Sequence, residues 1–321
     1  MSRPRVVLAV KLPSWFLREL ERIGIEYYGY AVNGSCGPAE ALVVPPAMSW
    51  SEVKRLLECS GARFLAVFGS GVDNLDLEYL EDQGVCVWNH PDHIADAVAE
   101  HAIALALALL RRVVAGDKLV RSGGWKSIPP RELLADTMIG SRVGIVGLGR
   151  IGSRIARLAY CLGASTPILY WSRRRKPEVE RILPLRWTSL EELFSSSDIV
   201  FVSVALTEET RRLIGENLLS RMRGGYLVNV SRGQVVDTQA LIKAIREGWV
   251  RGAALDVYEE EPLPPNHPLV GMEQVILSPH IGGYTRRAME ETARWLLEEL
   301  KKVLVEGKQP TYPLTRACRR D

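Results

Sequence analysis

The sequence predicts an α/β protein built from two doubly wound parallel-sheet lobes. Three observations carry that reading. Short β-branched runs alternate with amphipathic helical patterns in two separate series. A Gly-x-Gly-x-x-Gly run, Gly147 to Gly152, lies between a strand pattern and a helix pattern. The 321 residues are too many for one compact core and enough for two.

In the first series Val6–Val10 reads as a strand and Ser14–Ile23 as an amphipathic helix. Strand Ala41–Val44 precedes helix Trp50–Cys59, and strand Phe64–Val67 precedes helix Leu75–Gln83, before strand Val85–Val87. Next comes Ala95–Arg112, rich in Ala and Leu and apolar nearly all round, a helix that must be buried and that could sit between lobes or between subunits. The second series has strands Val143–Val146, Ile168–Tyr170, Ile199–Val204, Leu227–Val230, Ala253–Val257 and Val275–Leu277. Helices Ile151–Leu162, Leu190–Ser195 and Thr238–Gly248 lie between them. These strands are apolar on both faces, as a helix-covered sheet requires. A last helix, Thr285–Val305, ends at Gly307. It is expected to cross back to the first lobe. The predicted domains are therefore 1–95 with 286–321 for the substrate, and 96–285 for a dinucleotide, with the chemistry in the cleft between them.

Composition narrows the function classes. The apolar fraction is 47% and the charged fraction 25%, ordinary for a globular protein. Forty-one basic residues against 38 acidic ones give a net charge of +3, which makes no case for nucleic acid or an anionic membrane. The longest apolar stretch, Ala102–Leu110, is far short of the ~20 residues a membrane span needs. The run Val6–Val10 is too short for a signal-peptide core. Five cysteines, Cys36, Cys59, Cys86, Cys161 and Cys318, show no CxxC pair or repeating spacing. They are expected to be reduced thiols in a cytoplasmic protein.

The glycine run is strong evidence because of its context. Gly147 is suited to the tight turn, Gly149 to close approach of a pyrophosphate, and Gly152 to helix–strand packing. The helix opening at Arg150 and Ile151 would offer free N–H groups to the phosphates. At the end of the second strand, where NAD-preferring domains place a carboxylate for the ribose 2′-hydroxyl, the sequence has Ser172, Arg173 and Arg174. A hydroxyl and guanidinium groups suit a 2′-phosphate, so NADP(H) is favoured, with NAD(H) the alternative.

Three polar segments follow predicted strands, where open α/β sheets bind ligands. They are Asn229–Gly233, Asp256–Pro264 and Ser278–Gly283. With them the chain resembles the D-isomer-specific 2-hydroxyacid dehydrogenases. The resemblance is carried by Gly71–Asp76, Val98–Glu100, Gly147–Gly152, Leu206–Thr207, Asn229–Asp237, Asp256–Pro264 and Pro279–Gly283. Within that family it is closest to the glyoxylate/hydroxypyruvate reductases.

The resemblance implies a flavodoxin-like substrate lobe and a Rossmann lobe. It also implies reduction of a small 2-oxo acid to the D-2-hydroxy acid. Arg232 would clamp the substrate carboxylate and carbonyl oxygen, for which a planar guanidinium is suited. His280 would protonate the carbonyl oxygen. Glu261, the acid directly before Pro262, would orient His280 and favour its protonated form. Asp256 would receive the nicotinamide carboxamide. Ala205, Leu206, Thr207, Val230, Ser231, His280 and Gly282 would complete the dinucleotide site. Backbone N–H groups of Ser70, Gly71 and Val72 would bind the substrate carboxylate, glycine allowing close approach.

Some positions depart from the family pattern. Ala205 stands where Pro is common, and Asp96 where a small or amide residue is expected. Gly123–Pro130 lacks a second tryptophan. Val67 and Phe68 occupy the place of a phosphate-binding Arg, which counts against the alternative of a 3-phosphoglycerate dehydrogenase. No regulatory domain like those appended to some phosphoglycerate dehydrogenases is expected after Arg320. A dinucleotide-sensing corepressor on the same scaffold is the alternative of another class. His90, His93 and His101 match no common zinc spacing, and no metal is expected. The buried helix predicts a homodimer.

Overall fold

The structure is a computed structural model describing residues 3–90, 92 and 94–319. It divides into two compact units, Met1–Ile94 with Tyr284–Asp321, and Ala95–Gly283.

The first unit has five parallel strands, β1 (Arg5–Leu8), β2 (Glu26–Tyr28), β3 (Ala41–Val44), β4 (Phe64–Val67) and β5 (Cys86–Trp88), in the order β2-β1-β3-β4-β5. Side chains alternate between two separate cores, as the two-residue strand period dictates. Val6, Leu8, Ala41, Val43, Ala66 and Trp88 face a core shared with helices Ser14–Arg22 and Arg286–Leu300. Val7, Leu42, Val44, Leu65, Val67 and Val87 face the other, with Val53 and Leu56 of helix Trp50–Ser60 and Leu80 of helix Leu77–Asp82. Arg286–Leu300 does return to this unit, supplying Ala293, Leu296 and Leu300 to its core. Thr285 begins it, its hydroxyl accepting from the Ala288 N–H.

The second unit has seven parallel strands. They are β6 (Arg142–Val146), β7 (Ser165–Trp171), β8 (Leu185–Trp187), β9 (Ile199–Val202), β10 (Gly225–Asn229), β11 (Val250–Leu255) and β12 (Val275–Leu277). Their order is β12-β11-β10-β9-β6-β7-β8. Helix Ala95–Leu110 packs on helix Arg150–Cys161 and on strands β10 to β12. Its apolar surface is thus used within its own unit. It stops before Arg112, which adopts φ 54°. What stays exposed is the segment after it, with Val113, Val120, Trp125, Ile128 and Leu134 outward.

Strands β2 and β8 are absent from the sequence reading. Both are three-residue edge strands with no fully buried position, so no apolar period marks them. The cysteine expectation is overturned for four of five residues. Cys36 is bonded to Cys59 and Cys86 to Cys318, leaving Cys161 free and exposed. The separations of 23 and 232 residues carry no repeating pattern, so only the fold pairs them. The second bond seals a tail along the edge of β5. There the Leu314 N–H donates to Val87 O at 2.8 Å, and Thr315 Oγ1 donates to Val85 O at 2.8 Å and accepts from the Val87 N–H at 2.9 Å. No helix among the described residues is long and apolar enough to cross a membrane.

The Cys86–Cys318 bond spans 232 residues and closes a loop that contains the whole second unit and helix Arg286–Leu300, for which chain entropy assigns about 2–5 kcal/mol. Cys318→Ser, or reduction, is expected to lower the thermal unfolding midpoint measured by calorimetry. A midpoint insensitive to both would show that the tail is held by Thr315 and packing alone.

Candidate active site

All seven strands of the second sheet run parallel, so their carboxyl ends lie along one edge. The loops leaving β6, β7, β9, β10, β11 and β12 there hold the candidate catalytic and dinucleotide-binding residues of this unit.

After β10, Asn229 organises the chain. Its Oδ1 accepts from the Ser231 N–H at 3.0 Å and Oγ at 2.7 Å, and its Nδ2 donates to Arg232 O at 3.2 Å. Val230 and Ser231 are buried in this turn. Arg232 is partly buried, its Nη1 donating to Ser231 O at 2.8 Å. Gly233 is required by contact, since a Cβ there would lie 1.8 Å from the Tyr258 carbonyl carbon. This close approach brings the Arg232 loop against the loop that carries Glu261. Glu259 accepts from the Thr238 N–H at 2.9 Å, at the start of helix Thr238–Arg246, which occupies it structurally. Glu260 is exposed.

Glu261 Oε2 lies 2.6 Å from His280 Nδ1, and its Oε1 accepts from the Tyr258 N–H at 3.0 Å. Burial would raise the Glu261 carboxyl. The His280 hydrogen bond, the Tyr258 amide and the charges of His280 and Arg232 outweigh burial and hold it below its ordinary range. Glu261 is therefore an ionised acceptor for His280 at neutral pH. With Nδ1 so engaged, Nε2 is the ring nitrogen left for proton exchange. Arg232, Glu261 and His280 thus come together on adjacent loops of one unit.

His280 has φ 53°, in the left-handed region, and sits on a turn held from below by Asp256. Asp256 is buried. It accepts from the Ile281 N–H at 2.9 Å, the Gly282 N–H at 2.8 Å and the Ser278 hydroxyl. Burial opposes its ionisation, but His101, Ser278 and the two amides together keep it below the usual carboxylate range. Tyr258, pushed up to about 12 by burial and by the charges of Asp256 and Glu261, stays protonated. Its hydroxyl lies 3.0 Å from Leu255 O and 2.9 Å from Ser278 O, tying the ends of β11 and β12. The sequence reading missed Asn229, Tyr258 and His101 as site residues. A buried polar residue at a strand end was the signal for the first two.

The glycine run forms a cradle. Gly147 has φ 100°, and a Cβ there would meet Val204 Cγ1 at 2.7 Å. A Cβ on Gly152 would lie 1.9 Å from Gly147 O, whereas one on Gly149 would meet nothing within 4 Å. Helix Arg150–Cys161 begins at Gly149 without a side-chain cap. With no side-chain cap and open space at Gly149, this helix start is suited to a pyrophosphate. A cavity of about 590 Å³ adjoins this turn, lined by Gly147, Gly149, Ser172, Arg173, Arg174, Ala205 and Thr207, and also by Trp171, Lys176 and Thr210. The residues present therefore fit a dinucleotide. Leu206 instead packs on the unit's core.

Within the basic loop the side chains divide. Arg175 is bound to Glu180 at 2.7 Å, and Glu180 also accepts from Tyr170 Oη. Arg173 meets Glu209 at only 3.4 Å, both largely exposed. Ser172 donates its hydroxyl to Arg174 O at 2.6 Å, which shapes the loop. Asp96 pairs with Arg154 at 2.6 Å, joining the helices that begin near each, which supplies a structural reason for that acid.

In the first unit, the turn after β4 carries Ser70, Gly71 and Val72, all partly exposed. Asn89 Nδ2 donates to Ser70 O at 2.7 Å, and Asn74 Nδ2 to Met48 O at 2.6 Å. The glycine this turn demands is Gly69, with φ 157° and Pro46 3.0 Å from any Cβ. His90 is buried with its ring edge-on to Trp295 and Tyr312, at 4.4 and 5.5 Å. His93 lies outside the described residues. Among the described residues no group of three metal-ligating side chains converges.

Residues 103–282 match the model of the NAD-binding domain of D-isomer-specific 2-hydroxyacid dehydrogenases. A glyoxylate reductase of Pyrococcus furiosus is 46% identical over 243 residues, covering 74% of this chain and 71% of the relative. Among solved structures, a protein of Thermus thermophilus superposes with a TM-score of 0.86 at 36% identity, covering 97% of this chain and 100% of that one. The NADPH-dependent glyoxylate/hydroxypyruvate reductase of Sinorhizobium meliloti, in complex with NADP and malonate, gives 0.83 at 28%, covering 100% of both chains. The chain belongs to the D-isomer-specific 2-hydroxyacid dehydrogenases, and its second unit is their nicotinamide-dinucleotide-binding domain.

Proposed function

We propose that this oxidoreductase reduces glyoxylate to glycolate, or hydroxypyruvate to the D-2-hydroxy acid, with NADPH preferred over NADH. The observation that carries the reading is the 2.6 Å contact between Glu261 Oε2 and His280 Nδ1 beside Arg232. A nicotinamide, when bound, would supply the hydride to the substrate's carbonyl carbon. Arg232 binds the carboxylate and carbonyl oxygen, lowering the cost of the alkoxide charge. His280 Nε2 delivers the proton to that oxygen, and Glu261 stabilises the ring before transfer and holds its orientation after. Asp256, which holds the turn at Ile281 and Gly282, would receive the nicotinamide carboxamide.

The NADPH preference rests on the absence of a carboxylate among the loop residues lining the cavity, and on Arg173, Arg174 and Lys176 there. Arg175 is committed to Glu180. The small-acid preference is supported by Val67, a buried apolar residue at the end of β4, and by the glyoxylate reductases among the relatives. The chain is a homodimer in this reading, with a second copy covering the apolar side chains from Val113 to Leu134.

Turnover of glyoxylate, hydroxypyruvate and phosphohydroxypyruvate with both cofactors tests the substrate. Loss of all activity would defeat the enzymatic reading, and a preference for the phosphorylated acid would defeat the substrate class. His280→Ala is expected to lower kcat by about 10²–10⁴-fold. Arg232→Ala should damage both KM and kcat while dinucleotide binding, followed by fluorescence, stays intact. Arg173→Ala should cost kcat/KM with NADPH about 10- to 100-fold and leave NADH nearly unchanged, as loss of a charge-assisted contact predicts. Arg175→Ala should affect both cofactors alike. Sedimentation equilibrium reads the dimer directly, and Trp125→Glu with Ile128→Glu should yield monomers.

A further inference from the structure

His101 has no part in the chemistry described above, yet it lies directly under the catalytic turn. Its Nε2 is 3.0 Å from Ser278 Oγ and 3.3 Å from Asp256 Oδ1. Its side chain is 20% exposed, and that of Asp256 is 3% exposed. The proton inventory assigns the direction of each bond. Asp256 is a carboxylate and accepts only. Ser278 has a single hydroxyl proton, which it gives to Asp256. The contact between Ser278 Oγ and His101 therefore needs a proton on Nε2 of His101, and the same N–H reaches Asp256. Among the described residues, His101 is the one donor to this carboxylate that comes from outside the 278–282 turn. The others are the Ser278 hydroxyl and the amides of Ile281 and Gly282. Gly282 lets the turn lie flat on the helix, since a Cβ there would be 2.9 Å from Asp256 Oδ2, 3.5 Å from His101 Cδ2 and 3.6 Å from Val98 Cγ1.

We infer that His101 is a positioning residue: from helix Ala95–Leu110 it fixes Asp256 and Ser278 through its Nε2–H, and so holds the turn that presents His280. The physical ground is the strained conformation of His280, whose φ of 53° lies in a region non-glycine residues rarely adopt. Such a conformation persists only where its surroundings over-determine it. The anchor of the turn is a buried carboxylate, and removing one of its donors loosens every bond it makes. The role of His280 itself rests on the proposed function, but the geometry of the turn does not.

The test compares His101→Leu, which keeps bulk and removes the donor, with His101→Gln, whose amide N–H can take the place of Nε2–H. Two readouts are used on the full chain: hydrogen exchange of the Ile281 and Gly282 amides without cofactor, and kcat for the 2-oxo acid that the wild type reduces. In His101→Leu both amides should exchange about 10- to 100-fold faster, and kcat should fall by a similar factor. His101→Gln should restore both. Unchanged exchange in His101→Leu would overturn the inference, as would equal losses in the two variants, which would point to ring packing. Faster exchange with undiminished kcat would overturn the link to catalysis. If the wild type reduces no 2-oxo acid, the functional reading fails while amide exchange still decides the positioning role. If His101→Leu does not fold, Ser278→Ala, which removes the bridging hydroxyl, should reproduce the faster exchange, and failure to do so would count as refutation.

Discussion

A carboxylate taken out of water must be met by donors, and around Asp256 that requirement shapes the carboxyl edge of the second unit's sheet. Two backbone amides and a hydroxyl from the turn between Ser278 and Gly282, together with Nε2 of His101, satisfy it. The turn is thereby closed, and His280 is held with a left-handed backbone at its apex. The same turn brings Nδ1 of His280 to Glu261, whose carboxyl is kept ionised by the contacts it makes there. The orientation of the imidazole thus follows from a chain of hydrogen bonds that starts at the buried Asp256, one loop away.

Parallel strands explain why these demands meet in one place. A sheet wound by right-handed crossovers puts all its strand ends on one edge, and side chains at those ends project into shared space. Asn229, Asp256 and Ser278 are each the last residue of a strand or the first beyond one. Their polar groups would be costly inside the sheet, and at its edge they shape the loops instead. Gly233 and Gly282 complete the arrangement by letting backbone meet backbone or carboxylate where a Cβ would collide.

The dinucleotide cradle is built on another principle, the emptiness of a surface. Gly149 leaves space before a helix whose first amides have no capping side chain. Beyond it the basic loop has divided its charges: Arg175 is held by Glu180, which Tyr170 also engages, whereas Arg173, Arg174 and Lys176 border the cavity. Four consecutive basic residues look equivalent in the sequence, and only the packing of Tyr170 distinguishes one of them.

The sequence by itself determined the fold class, the two-lobed division and the positions of the glycine run and the strand-end loops. Those depend on local periodicity, on steric need for glycine, and on the order of elements, all of which are written in neighbouring residues. Glu261 was separable from Glu259 and Glu260 only through family resemblance, and the helix-start contact of Glu259 gives the separation a physical basis. Tertiary structure alone decided what joins residues far apart in the chain. Cys86 meets Cys318 because the tail lies along β5, and His101 meets Ser278 and Asp256 because a helix packs beside β11 and β12. It also decided that helix Ala95–Leu110 buries its apolar surface inside its own unit, leaving the following segment exposed. Such pairings are set by how whole elements pack, and packing leaves no periodic trace in the sequence of either partner.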